Sequence, residues 1–131
     1  MRRLAHVGVA VKNLKESVEL FSRLFQISPA EHEVVGSQHV NLAFFQLGDA
    51  SVELTEATDP GSPIAKFIER RGEGVHHLSF EVENIEAELA RLKKEGFQLI
   101  DETPRPGAGG HLIAFIHPKS TNGVLIEISQ S

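Results

Sequence analysis

Apolar residues along this chain switch between two spacings. In LAHVGVAV (4–11), Val7, Val9 and Val11 alternate with Gly8 and Ala10, the period-two pattern of a β-strand. Directly afterwards Leu14, Val18 and Phe21 recur at i, i+4 and i+7, one face of an amphipathic helix. Asn13 stands between the two patterns and is placed to accept from the first-turn amides as an N-cap. Glu16, three residues on, has capping-box spacing. Seventy-one residues later the succession returns: VHHLSFEV (75–82) alternates, Asn84 follows, and Ile85, Leu89 and Leu92 take the helical spacing. Laid over one another, the copies match His6 with His77, Val11 with Val82 and Asn13 with Asn84.

After each helix, three further strands are predicted. In the first copy they fall near 31–35, 39–47 and 50–56, with Gly48-Asp49 as a hairpin turn. In the second they fall at 97–101, 111–117 and 123–129, with turns over Pro104 to Gly110 and Pro118 to Gly123. The repeated unit is therefore βαβββ. SPIAKFIERRGEG (62–74) spaces Ile64, Phe67 and Ile68 as a helix and ends in glycines, which marks a helical linker. The expected fold is α+β, with tandem βαβββ modules forming a mostly antiparallel sheet. Module one spans about 1–60, the linker about 62–73 and module two about 74–131, all within one domain.

Alternation also assigns faces. His6, Gly8 and Ala10 share the face opposite the valines, and His77, Ser79 and Glu81 share the matching face of the later strand. The large apolar face should pack under a helix, which leaves His6 and His77 looking inward and sends His76 to the helix-covered side. The last strands repeat the device: Glu53 opposes Val52 and Leu54, and Glu127 opposes Val124, Ile126 and Ile128. A carboxylate within an apolar strand is costly unless paired or bound to metal. His6, Glu53, His77 and Glu127 thus occupy symmetry-related positions. Two imidazoles and two carboxylates suit Co²⁺, Mn²⁺, Ni²⁺, Fe²⁺ or Zn²⁺ with positions open to substrate. Taken singly, each residue also fits a duller role, a hydrogen-bonded core histidine or a solvated strand glutamate.

Composition narrows the chemistry. No cysteine is present, so disulfides, thiolate metal sites and cysteine nucleophiles are excluded, and a reducing cytoplasm is the simplest location. The net charge of −5 comes without a basic cluster, which argues against nucleic acid. The short apolar run after the N-terminal arginines is interrupted by His6, too short for a signal core or a membrane span.

HVGVAVKNL (6–14), SPIAKFIERRGEGVHHLSFEV (62–82), GAGGHLIAFIHPKS (107–120) and GVLIEI (123–128) together resemble the vicinal oxygen chelate superfamily, and within it the methylmalonyl-CoA epimerases. The second and third segments are the ones specific to the epimerases. The resemblance implies a partly closed sheet around a metal cleft, with metal ligands at His6, Glu53, His77 and Glu127, cobalt as the foremost ion, and Glu127 as a proton-transfer group. It further implies an acyl-CoA substrate, a homodimer and a place in propionate metabolism. Some epimerases carry an additional glutamate, one of two proton-transfer groups, on the strand matching VNLAFF (40–45), where this chain has Leu42. Either Glu53 covers that role from the neighbouring strand, as the opposite partner of Glu127, or the second proton-transfer group is another residue. Gly109, Gly110 and Lys119 are candidates for substrate contact, Ser62 and Lys66 weaker ones. Competing readings are a glyoxalase I acting on a glutathione adduct, an extradiol dioxygenase, and a metal-free module that sequesters an aromatic antibiotic. The last is disfavoured by the lack of Trp and Tyr and by only eight Phe.

Overall fold

The structure, a computed structural model, describes residues 1–29, 31–35 and 39–131. It is α+β, with strands β1 (Arg3–Ala10), β2 (Glu31–Val35), β3 (Val40–Leu47), β4 (Ala50–Ala57), β5 (Gly74–Glu81), β6 (Arg105–Pro106), β7 (Leu112–Ile116) and β8 (Ile126–Gln130). Three helices accompany them: α1 (Leu14–Phe25), α2 (Pro63–Arg71) and α3 (Ile85–Lys94). Two compact units divide the chain, one of His6–His76 and one of Met1–Ala5 with His77–Ser131.

In the His6–His76 unit the strand order is β2-β3-β4-β1. β2–β3 and β3–β4 are antiparallel, whereas β4 returns parallel to β1 with Gly8 opposite Glu53. Leu47 pairs with Ala50 across Gly48-Asp49, and Gly48 takes φ of 67°, the two-residue turn expected there. Asn13 caps α1, its Oδ1 accepting from the Glu16 amide at 3.0 Å, while the Leu14 amide donates to Glu56 Oε2 at 2.8 Å. The helix then lays Leu14, Val18, Phe21 and Phe25 over Val11, Ala43, Phe45 and Leu54. Phe45 is fully buried, with Phe25 edge-on to it at 5.5 Å. The linker helix α2 begins at Ser62, which is buried and accepts from the Ile64 amide at 3.2 Å. Ser62 is a cap; its hydroxyl has a structural task. Lys66 lies exposed on the same helix.

The other unit repeats the plan with order β5-β8-β7-β6. β8 runs parallel to β5, with Ser79 opposite Glu127, and β7 antiparallel to β8, with Phe115 opposite Glu127. Asn84 caps α3 through the Ala87 amide at 3.0 Å, and Ile85, Leu89 and Leu92 pack with Val82, Ala114, Ile116 and Ile128. The Arg2 amide donates to the Glu81 carbonyl at 2.8 Å, and Arg3 Nε pairs with the Glu81 carboxylate at 3.0 Å. Asn84→Ala is expected to cost about 1 kcal/mol, read as a lower urea midpoint at unchanged slope.

Two expectations differ from the structure. The strand expected at 97–101 reduces to one bridge, Leu99 to Ile116, and the short β6 forms farther on instead. The cause is Asp101, whose Oδ2 accepts from the Phe115 amide at 2.8 Å and so takes a donor from any ladder there. Val124 does not share the apolar face of Ile126 and Ile128. It precedes β8, is exposed, and its amide donates to the Thr121 carbonyl at 3.1 Å. No described helix is long and apolar enough to cross a membrane.

Candidate metal-binding and proton-transfer residues

Each unit carries one imidazole from its first strand and one carboxylate from its last. In the first, the parallel register sets Gly8 opposite Glu53. His6, two residues before Gly8 on the same face, reaches the Glu53 side chain. His6 Nε2 lies 3.3 Å from Glu53 Oε2, with 13% and 7% of the two side chains exposed. Phe44, opposite Glu53 on β3, lies edge-on to the His6 ring at 6.2 Å. Leu42 is buried on this face beside its register partner Thr55. It brings no ionisable group, so Glu53 is the carboxylate that this part of β3 and β4 supplies.

In the second unit His77, Ser79 and Glu127 are all buried. His77 and Glu127 each offer a donor atom, and these lie within 4.8 Å of one another. Phe115 stands edge-on to the His77 ring at 5.8 Å and 85°. Burial pushes the Glu127 carboxyl up to about 7, against the hydrogen bond of Ser79 and the positive charge of Arg105, which pull it down. A carboxyl that titrates near neutrality can both take up and release a proton at the pH of the cell. Arg105 and Asp101 give no sign of themselves in local spacing; only the pairing of β6 with β7 brings them to Phe115 and Glu127.

The His6–Glu53 pair has the spacing of two ligands to a divalent ion. Bonds of about 2.0–2.2 Å from imidazole nitrogen and carboxylate oxygen place neighbouring ligands of one octahedral ion roughly 3 Å apart and opposite ones roughly 4 Å apart. The 3.3 Å separation of His6 and Glu53 is that of neighbours.

His76 takes the other face, as the alternation requires, and meets Phe67 of α2 edge-on at 4.9 Å. Burial lowers its imidazole to about 4, so it is neutral at pH 7. The unfolded chain binds that proton near pH 6.5, so the contribution of His76 to folding stability falls as pH drops from about 6.5 to about 4, by about 3 kcal/mol in all. His76→Leu should remove this loss, raising stability at pH 4.5 relative to pH 7 above the ratio of the unaltered protein, as urea unfolding at the two pH values would show.

The candidates for substrate contact sit in turns. Gly109 and Gly110 adopt φ of 66° and 75°, a region that favours glycine whether or not a ligand is near. Gly107 is fixed by packing, since a Cβ there would come within 2.7 Å of Ile113 Cγ2. Lys119 is exposed, its amide donating to His117 Nδ1 at 3.0 Å.

Comparison with known proteins agrees with this architecture. Residues 5–115 match the Glyoxalase/Bleomycin resistance protein/Dioxygenase superfamily. An uncharacterized Bacillus subtilis protein, YqjC, is 40% identical, covering 99% of this chain and 93% of its own length. The mitochondrial methylmalonyl-CoA epimerase of Dictyostelium discoideum is 35% identical over 98% of this chain and 78% of its own. Among solved structures, a variant of Streptomyces coelicolor methylmalonyl-CoA epimerase in complex with 2-nitronate-propionyl-CoA superposes with a TM-score of 0.96. It is 31% identical and covers 100% of this chain and 95% of its own.

Proposed function

The chain belongs to the glyoxalase/bleomycin resistance protein/dioxygenase superfamily, and from that premise we propose that it is a metal-dependent epimerase interconverting (R)- and (S)-methylmalonyl-CoA. The observation that carries this reading is Glu127, a buried carboxyl titrating near neutrality beside a buried histidine. It occurs in a chain that matches methylmalonyl-CoA epimerases over nearly its whole length.

His6, His77 and Glu127 are the proposed core of the ligand set, with Glu53 as the fourth member, held against His6. Co²⁺ is the proposed ion, and Mn²⁺, Ni²⁺ or Zn²⁺ would suit the same donors. When bound, the cation supplies positive charge against the negative charge that develops on the thioester oxygen as the C2 proton leaves. Glu127 takes or returns that proton on one face of C2, and Glu53 does so on the other. Ser79 is buried opposite Glu127 on the neighbouring strand, and Phe115 walls the His77 ring from water. Gly109, Gly110 and Lys119 are proposed contacts of the coenzyme A portion. A homodimer in a reducing, cytoplasmic setting, serving propionate metabolism, completes the reading.

The test is deuterium entry at C2 of methylmalonyl-CoA in D₂O, followed together with interconversion of the epimers. Exchange should appear with Co²⁺ and vanish with chelator. Its absence with every divalent ion tried removes the proposal.

A further inference from the structure

We propose that Arg105 receives the free carboxylate of the substrate, an inference that rests on the epimerase reading above. Strand register supplies the placement. Arg105 pairs with Ile113, Ile113 with Ser129, Phe115 with Glu127 and Glu127 with Ser79. Because alternate residues share a face, the Arg105 side chain stands on the same face as Phe115, Glu127, Ser79 and His77. Its guanidinium carbon lies 5.5 Å from the centroid of the Phe115 ring, the ring whose edge contact is His77.

Asp101 fixes this arrangement with both oxygens. Oδ2 accepts from the Phe115 amide at 2.8 Å, and Oδ1 lies 3.4 Å from Arg105 Nε. The Arg105 side chain is nevertheless 38% exposed. A guanidinium laid on an aromatic ring, with a carboxylate 3.4 Å from its Nε, presents its terminal donors as a planar fork, the geometry that matches a carboxylate. The chemistry asks for such a group. Removing a proton from a carbon that already bears a carboxylate builds a second negative charge beside the first, and a cation paired with the carboxylate lessens that repulsion. Asp101 is the positioning residue, acting through Arg105.

A coenzyme A ester offers phosphates as well as the carboxylate, and two ligands separate these. Calorimetric titration of the Co²⁺-loaded protein with methylmalonyl-CoA and with propionyl-CoA, which lacks the carboxylate, gives a preference ratio. That ratio is expected to be on the order of 10–100 in the unaltered protein, the worth of a charge-assisted hydrogen-bonded pair. In Arg105→Gln it should fall below about 3, through weaker methylmalonyl-CoA binding at constant propionyl-CoA affinity. Arg105→Lys should fall between, and it carries the same comparison if the Gln variant does not fold. An unchanged ratio overturns the inference. So does equal weakening of both ligands, which would mean that Arg105 meets a phosphate or only holds its loop. Failure of the epimerase reading shows separately, as absence of deuterium exchange, and the titration does not depend on turnover.

Discussion

Glu127→Gln is expected to slow deuterium entry at C2 of methylmalonyl-CoA by on the order of 10³-fold or more, within the range lost when a positioned acid–base group is removed and increased by loss of a charged ligand. Gln preserves the shape, so the core formed by Ile128, Ile116 and α3 should survive, as an unchanged circular dichroism spectrum would show. The more telling readout is the fate of each epimer followed separately. With two carboxyls serving opposite faces of C2, Glu127→Gln should suppress exchange from one epimer and Glu53→Gln from the other. A protein that used a single carboxyl for both faces would lose the two together in Glu127→Gln. Activity within tenfold of the unaltered protein in Glu127→Gln would remove this residue from the chemistry.

The second large effect concerns stability. In the metal-free protein the Glu127 carboxyl titrates near 7, against about 4.5 in the unfolded chain. A carboxyl with a raised folded-state pKa binds its proton more tightly when folded, so stability is highest below about 4.5 and falls as pH rises through 7. By pH 8 the loss approaches about 3 kcal/mol. Between about pH 4.5 and 6.5 this offsets the acid-side loss expected from His76, so the two together leave the stability of the metal-free protein nearly level across that window. A divalent cation that binds the ionised carboxylate reverses the alkaline loss: at 100 times its dissociation constant it contributes about 2.7 kcal/mol, or on the order of 10 °C in Tm for a chain of this size. With no Trp or Tyr in the sequence, calorimetry or circular dichroism is the suitable probe. The upward shift at pH 8 should be lost in His77→Ala. An equal shift in that variant, or none with Co²⁺, Mn²⁺, Ni²⁺ or Zn²⁺, would contradict the metal assignment.

Much of this architecture is legible from spacing because it is local. Asn13 and Asn84 cap where the period changes from two to 3.6, and Leu14, Val18 and Phe21 pack as Ile85 and its partners do. Alternation alone puts His6 and Glu53 on the small or polar side of their strands, whereas their contact depends on the parallel pairing of β1 with β4, which no spacing announces. What spacing does not carry is the competition of one side chain for a distant backbone group. Asp101 takes the Phe115 amide and so dissolves the strand expected at 97–101. Ser62, at the start of the helical linker, stands as a weaker candidate for substrate contact until its burial and its bond to the Ile64 amide are seen. Arg105 is ordinary in sequence, and its position depends on which residues of β7 it faces, a matter of register.

The parallel return of β4 to β1, and of β8 to β5, also sets a timetable. His6 and Glu53 have both left the ribosome long before Glu127 is made, 74 residues after Glu53. At translation speeds of 5–20 residues per second this interval is about 4–15 s. Under the proposed ligand set, His6 and Glu53 would by themselves offer an ion only two donors during the later part of this interval. A grip of four would come only once His77 and Glu127 have been made, so the choice of ion would fall to the end of synthesis.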